Sequence, residues 1–68
     1  MLDLVVNGAP YQVAGPITVA DLVDRLGCGR RGVAVAVNRV VVARSAWADT
    51  ALDAGDTVEV LRAAQGGC

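Results

Sequence analysis

Hydrophobic and polar residues alternate at the start of the chain in the pattern of a β-hairpin. In the segment Leu2–Val6, the polar residue Asp3 should face solvent, which turns positions 2, 4 and 6 inward and leaves Val5 on the outer face. Asn7-Gly8 follows, and this dipeptide is typical of a two-residue hairpin turn. We therefore expect Ala9–Val13 to be the returning strand.

The clearest helix signal lies in the next segment. Thr18 is a good N-cap residue, and Asp21 stands at the position of the acidic residue in a capping box. Gly27 is placed to end the helix in the left-handed conformation. Four apolar residues recur with the spacing i, i+3, i+4, i+7 and form one stripe: Val19, Leu22, Val23 and Leu26.

The second half of the chain predicts three more strands. Val33–Val37 reads as a strand, and Asn38-Arg39 is a tight turn into Val40–Ala43, a short edge strand. A 3₁₀ turn is expected around Ser45–Trp47, and Thr57–Leu61 is the last strand. The order is β-β-α-β-β-β. Because one helix covers one face of a sheet, the other face should be wet or covered by a partner.

The last strand places an apolar residue on that outer face. Alternation turns positions 58 and 60 inward and leaves Leu61 outside with Glu59. If the first and last strands are neighbours, Val5 and Leu61 form an exposed apolar spot, which Ala34 and Ala36 could extend. A contiguous apolar patch often marks a partner site, so we predict a partner surface at Val5 and Leu61.

Composition narrows the functional classes. The chain has 68 residues, enough for one domain with one small core, and its net charge of −1 argues against binding nucleic acid through phosphates. It has no histidine, the commonest general base, and all six of its basic residues are arginine, which excludes Schiff-base chemistry on lysine. We therefore expect a protein that is not an enzyme.

No metal site or membrane segment is expected. Cys28 and Cys68 have no further thiol or imidazole with which to complete a zinc site. The longest apolar stretches, Val33–Val37 and Val40–Ala43, are too short to span a bilayer, and Asp3 near the N-terminus does not suit a signal peptide. These features indicate a protein of a reducing compartment, and we expect it in the cytoplasm.

The end of the chain lacks periodicity and contains two glycines. We divide the chain into a domain, residues 1–62, and a flexible C-terminal tail, residues 63–68. Extended at about 3.3–3.6 Å per residue, the stretch from Ala63 to Gly67 spans roughly 15–18 Å. Because Gly66 and Gly67 lack a Cβ, they could thread a channel too narrow for other side chains. A frayed terminus is the alternative that the dipeptide alone leaves open.

In combination, several segments resemble a known family over almost the whole chain. The segments are the hairpin, the capped helix, the run Gly32–Asn38, the run Val41–Trp47, the turn Asp53–Asp56, the strand Val58–Leu61 and the ending Gln65-Gly66-Gly67. Together they resemble the ThiS family of sulfur carrier proteins of thiamine biosynthesis. The resemblance implies an α+β protein with the β-grasp, ubiquitin-like fold: a mixed sheet of about five strands, with one helix packed on one face and the first and last strands as parallel neighbours.

The resemblance also implies a chemistry for the tail. The carboxylate of Gly67 would be adenylated with ATP by a ThiF-type activating enzyme and then converted to a thiocarboxylate, with sulfur from cysteine or a donor protein. Thiazole synthase would take up that sulfur. The residues that enter the channel of the activating enzyme would be Ala63, Ala64, Gln65, Gly66 and Gly67. The chain itself would bind no cofactor, since ATP is used by the activating enzyme.

One departure from the family pattern concerns Cys68. It follows Gly67, so the reactive carbonyl stands in a peptide bond, and the leading interpretation is that a protease cleaves between Gly67 and Cys68. The alternatives are that Cys68 stays and carries sulfur as a persulfide, or that it is an added residue without a biological role. Other roles share the same features. These are a sulfur carrier for molybdopterin, cysteine or natural-product synthesis, a ubiquitin-like modifier, and a β-grasp binding module. The Ala-, Val-, Gly- and Arg-rich composition without lysine points to a GC-rich bacterial genome.

Overall fold

The computed structural model describes residues 1–27 and 32–62 of the chain. In this part, strands β1 and β2 form a hairpin that is followed by helix α1, two further strands, a 3₁₀ helix and strand β5. The bounds are β1 Leu2–Val6, β2 Ala9–Val13, α1 Val19–Leu26, β3 Val33–Val37, β4 Val40–Val42, the 3₁₀ helix Arg44–Asp49 and β5 Thr57–Arg62. Residues 28–31 and the predicted tail 63–68 lie outside the described residues.

The helix begins and ends where the sequence predicts. The Thr18 hydroxyl accepts a hydrogen bond from the Asp21 backbone N–H at 3.2 Å, and the Asp21 carboxylate accepts one from the Thr18 N–H at 3.1 Å. This reciprocal pair is a capping box, with Asp in place of the usual Glu. Gly27 ends the helix with φ at +73° and donates its N–H to the carbonyl of Asp24.

The five strands form one mixed sheet in the order β2-β1-β5-β3-β4. β1 and β5 are parallel, whereas β1–β2, β3–β5 and β3–β4 are antiparallel pairs. The first and last strands are thus neighbours at the centre of the sheet, as expected. Because β1 and β5 are parallel, the chain that connects them must return to the same end of the sheet, and α1 lies within this crossover connection.

The core lies between the helix and the inner face of the sheet. Alternation along β1 and β5 turns Leu4, Val6, Val58 and Val60 inward, and all four are buried. The predicted helix stripe is buried at Val19, Leu22 and Val23, while Leu26 is partly buried. Core residues from all parts of the described chain are Leu4, Val6, Val13, Ile17, Val19, Ala20, Leu22, Val23, Val35, Trp47, Leu52, Val58 and Val60.

Two predicted segment boundaries are wrong by one residue, and one element is longer than predicted. The edge strand β4 ends at Val42, because the Ala43 carbonyl accepts the Ala46 N–H and starts the 3₁₀ helix. That helix extends beyond the predicted turn and places Trp47 in the core, where the indole N–H donates to the Val42 carbonyl at 3.0 Å. β5 continues to Arg62, since Arg62 pairs with Val33.

Within residues 1–27 and 32–62, no helix has the length and apolar character needed to cross a membrane.

Candidate functional site

The end of β5 is the last described part of the chain before the C-terminal segment. β5 pairs with β3 along its whole length, and its last residue lies opposite Val33, the first residue of β3. On its other side, β5 pairs with β1 at Val5↔Thr57 and Val6↔Val58, where β1 ends. The final four residues of β5 therefore extend past β1. The predicted tail residues Ala63, Ala64, Gln65, Gly66, Gly67 and Cys68 follow directly and lie outside the described residues.

Beside the end of β5, the outer face of the sheet carries four apolar residues from three strands. Leu61 lies opposite Ala34, and Ala36 lies opposite both Glu59 and Val41. Leu61 is 67% exposed and Val41 is 77% exposed. A groove of about 100 Å³ is lined by these four residues together with Val35 and Glu59. We call Ala34, Ala36, Val41 and Leu61 the outer apolar patch.

The register corrects one expectation about this surface. Val5 and Leu61 were expected to form one apolar spot, but Val5 lies opposite Thr57, four residues before Leu61. At about 3.3 Å per residue, that offset amounts to roughly 13 Å along β5. Val5 is also partly buried. The neighbours of Leu61 are instead on β3, so the expected extension through Ala34 and Ala36 is confirmed.

Val41 is the residue of this patch that the sequence analysis missed. It lies in the run Val40-Val41-Val42, in which all three positions are apolar and no alternation marks the outward one. Val41 pairs with Ala36, and Ala36 faces outward because its neighbours on β3 face the core. Val41 therefore lies on the outer face of the sheet. The length of the Asn38-Arg39 turn could have identified Val41, because a two-residue turn sets the register of the hairpin and places Val41 opposite Ala36.

Asn7 contacts β5 through its side chain as well as its backbone. Its backbone N–H donates to the Val58 carbonyl at 2.9 Å, which continues the ladder begun by the Val5 N–H and the Asp56 carbonyl. Its side-chain Oδ1 then accepts the Val60 N–H at 2.8 Å, and its Nδ2 donates to the Val60 carbonyl at 3.2 Å. The carboxamide thus takes the place that the next residues of β1 would hold in a longer parallel strand.

Asn38 makes the corresponding contacts at the start of β5. Its backbone N–H donates to the Thr57 carbonyl at 2.7 Å, and its Oδ1 accepts the Thr57 N–H at 3.0 Å. Its Nδ2 donates to Asp56 Oδ1 at 3.1 Å. Both asparagines have φ at +51°, the left-handed conformation that Asn tolerates better than most residues.

A second groove lies between the two turns that carry these asparagines. It has a volume of about 370 Å³ and crosses the outer side of β5 at Thr57 and Glu59. Its remaining lining residues are Asn7, Gly8, Asn38 and Arg39. Glu59 lines both this groove and the one at the outer apolar patch.

The comparison with known proteins extends beyond the described residues. The model of the ThiS family matches residues 4–67, which includes Gly66 and Gly67 and stops before Cys68. The crystal structure of the thiamine biosynthesis protein ThiS from Geobacter metallireducens superposes with a TM-score of 0.82 at 35% identity, over 97% of this chain and 100% of that chain. A solution NMR structure of a thiamine biosynthesis protein from the same organism gives a TM-score of 0.80 at 34% identity, over 98% of this chain and 90% of that one.

A sequence relative of different size carries the same module. The chain is 35% identical over 66 residues to a protein of Paramagnetospirillum magneticum named thiazole synthase. The match covers 97% of this chain but spans only 20% of that relative.

The predicted β-grasp fold is confirmed by the order and directions of the strands, by the helix on one face of the sheet and by the likeness to a ThiS crystal structure. Together with a family match that runs from β1 through the Gly-Gly pair, they show that the chain belongs to the ThiS family.

Proposed function

We propose that the protein is a sulfur carrier whose Gly67 carboxylate is adenylated and then converted to a thiocarboxylate for thiazole formation in thiamine biosynthesis. The observation that carries this proposal is the extent of the family match, which continues through Gly66 and Gly67. Two structural relatives that are named as thiamine biosynthesis proteins support the pathway. In this role the chain is the substrate of other enzymes and is not itself a catalyst.

The proposed chemistry explains why ATP is needed. A carboxylate resists nucleophilic attack, because its negative charge repels the nucleophile and oxide is a poor leaving group. A Gly67 carboxylate oxygen attacks the α-phosphorus of ATP, and pyrophosphate leaves. Hydrosulfide released by the sulfur donor then attacks the acyl carbon, AMP departs with the carboxylate oxygen, and the thioacid loses its proton. The resulting thiocarboxylate is a nucleophilic sulfur on a protein carrier. ATP is bound by the activating enzyme, so this chain needs no cofactor of its own.

Gly67 must have a free carboxylate before this sequence can start. In the chain as written, its carbonyl forms a peptide bond with Cys68. We propose that a protease hydrolyses this bond and releases Cys68. The family match stops at residue 67, which agrees with Gly67 being the functional end.

Two enzymes are the proposed partners of the carrier. A ThiF-type adenylating enzyme binds the outer apolar patch, with Leu61 as its central contact, and receives residues 63–67 in its channel. Val5 stays a second candidate contact, at a distance from the patch. Thiazole synthase takes the sulfur from the carrier. This partnership is supported by the relative named thiazole synthase, in which the matching segment forms a fifth of one longer chain.

A sulfur donor protein supplies the sulfur. Because the activation step consumes ATP, we propose that the protein works in the cytoplasm.

ATP–pyrophosphate exchange with the ThiF-type enzyme tests the proposal. Three forms should be compared: the full chain, a chain ending at Gly67, and the shortened chain with Gly67→Ala. Ending the chain at Gly67 changes none of the described residues. We expect exchange with the chain that ends at Gly67, slower exchange with Gly67→Ala because its Cβ crowds the channel, and none with the full chain. Equal exchange with the full chain would refute the trimming step. No exchange with any form would refute adenylation at Gly67.

A further inference from the structure

The end of β5 is held on one side by a strand and on the other by a side chain. β3 pairs with β5 as far as Arg62, whereas β1 ends opposite Val58. Beyond that point, the Val60 N–H and carbonyl on the β1 side are both taken by the Asn7 carboxamide. Asn7 and Val60 are 53 residues apart, so this contact joins the first turn of the chain to the strand that carries the C-terminus.

The place of this contact on β5 matters for the neighbouring residues. Val60 is 9% exposed and faces the core, while the next residue, Leu61, faces outward in the outer apolar patch. Arg62 follows, and with it the described part of β5 ends. The Asn7 contact therefore lies one residue before Leu61 and two before the end of the described strand, on the side of β5 opposite to β3.

Asn38 provides an internal comparison. It has the same φ of +51° and also places its Oδ1 on a backbone N–H of β5, but at Thr57, the first residue of the strand. The two asparagines thus make similar contacts three residues apart on β5. Of the two, the Asn7 contact lies nearer to Leu61 and to the last described residue of the strand.

We propose that Asn7 is a positioning residue for the activation of Gly67. The inference rests on the proposed function, because it concerns how Gly67 is presented to the adenylating enzyme. The Asn7 carboxamide restrains β5 at Val60 on the side that β1 leaves unpaired, so that Leu61 and the last described residue of β5 keep one geometry relative to the rest of the outer apolar patch. When the enzyme binds the patch, the segment then enters the channel in a reactive alignment, and misalignment would lower the rate of the chemical step.

Replacement by glycine isolates the carboxamide. Glycine adopts φ near +51° without strain, so Asn7→Gly and Asn38→Gly retain their turns and lose only the side-chain contacts. Both variants should be made in the chain that ends at Gly67. NMR hydrogen exchange of the Val60 amide measures local opening, and steady-state ATP–pyrophosphate exchange gives kcat and KM for the carrier.

For Asn7→Gly we expect the Val60 amide to exchange roughly tenfold faster, the change that corresponds to the net contribution of one or two hydrogen bonds. We expect kcat to fall about three- to tenfold with KM changed by less than about twofold, because β3 and β4 still hold the other patch residues. Asn38→Gly should leave both the Val60 exchange rate and kcat within about twofold of the parent chain.

Several outcomes would overturn the inference. One is an unchanged kcat in a folded Asn7→Gly chain, and another is an equal loss in Asn38→Gly. If Asn7→Gly does not fold, Asn7→Asp takes its place. Asp also tolerates the turn, and its second carboxylate oxygen would face the Val60 carbonyl, so a kcat equal to that of the parent chain would overturn the inference. If the parent chain itself supports no exchange, the proposed function fails, and this inference fails with it.

Discussion

Replacing Leu61 by aspartate tests whether the outer apolar patch binds the adenylating enzyme. Leu61 is 67% exposed in the free protein, so the substitution should change the free energy of unfolding by no more than about 0.5 kcal/mol. Covering a leucine side chain fully contributes about 1.5–3 kcal/mol, and two thirds of that is roughly 1–2 kcal/mol. A polar group enclosed in the interface without a partner costs a further 1–3 kcal/mol or so, and a carboxylate that stays ionised costs more.

The sum places the expected loss of binding free energy at about 2–5 kcal/mol, which raises Kd at least about 30-fold. Isothermal titration calorimetry with the ThiF-type enzyme measures this directly. Circular dichroism of the free variant should show an unchanged melting transition, which separates a lost contact from a lost fold.

Val40→Asp is a matched control for the new charge. Val40 is 66% exposed, nearly the same fraction as Leu61, and it lies on β4 opposite Val37. Side chains alternate along a strand, so Val40 shares the inner side with Val42 and points away from the outer apolar patch. We expect Val40→Asp to change Kd less than about threefold, a difference below 1 kcal/mol. Equal weakening by both variants, or no weakening by Leu61→Asp, would refute the assignment of the patch.

Two further predictions concern stability. Deleting residues 63–68 should lower the free energy of unfolding by less than about 1 kcal/mol, because the core described here is formed by residues between Leu4 and Val60. Loss of the dispersed amide NMR spectrum on truncation would show that the segment is structural. Thr18→Ala removes the hydroxyl that caps α1 and should cost about 1 kcal/mol in urea unfolding, whereas an unchanged midpoint would mean that the capping box contributes nothing.

Local signals in the sequence were sufficient for the secondary structure. Thr18, Asp21 and Gly27 determine the helix bounds through contacts within one turn, so they can be read without knowledge of the fold. Asn7-Gly8 specified the first hairpin in the same way, since the turn itself requires the positive φ values seen at both residues. The bound that was wrong at Arg62 depends on pairing with β3, whereas the one at Ala43 depends on a local contact, the hydrogen bond from the Ala46 N–H that starts the 3₁₀ helix.

The site depended on long-range register, which local patterns do not contain. That β1 and β5 are neighbours followed from the family resemblance, but their offset did not, and it is this offset that separates Val5 from Leu61. The contact between Asn7 and Val60 could not be predicted from the sequence either, because the Asn7-Gly8 turn already accounts for an asparagine at this position. Its second role appears only when β5 is seen to extend past the end of β1.

The intact mass of the protein purified from its own cells tests the central claim most directly. The account predicts a chain that ends at Gly67, with a fraction of molecules in which one carboxylate oxygen is replaced by sulfur. Alkylation at that sulfur should then place the label on Gly67 in the C-terminal peptide. A population that consists entirely of chains retaining Cys68, or one in which Gly67 is joined to lysines of other proteins by isopeptide bonds, would contradict it.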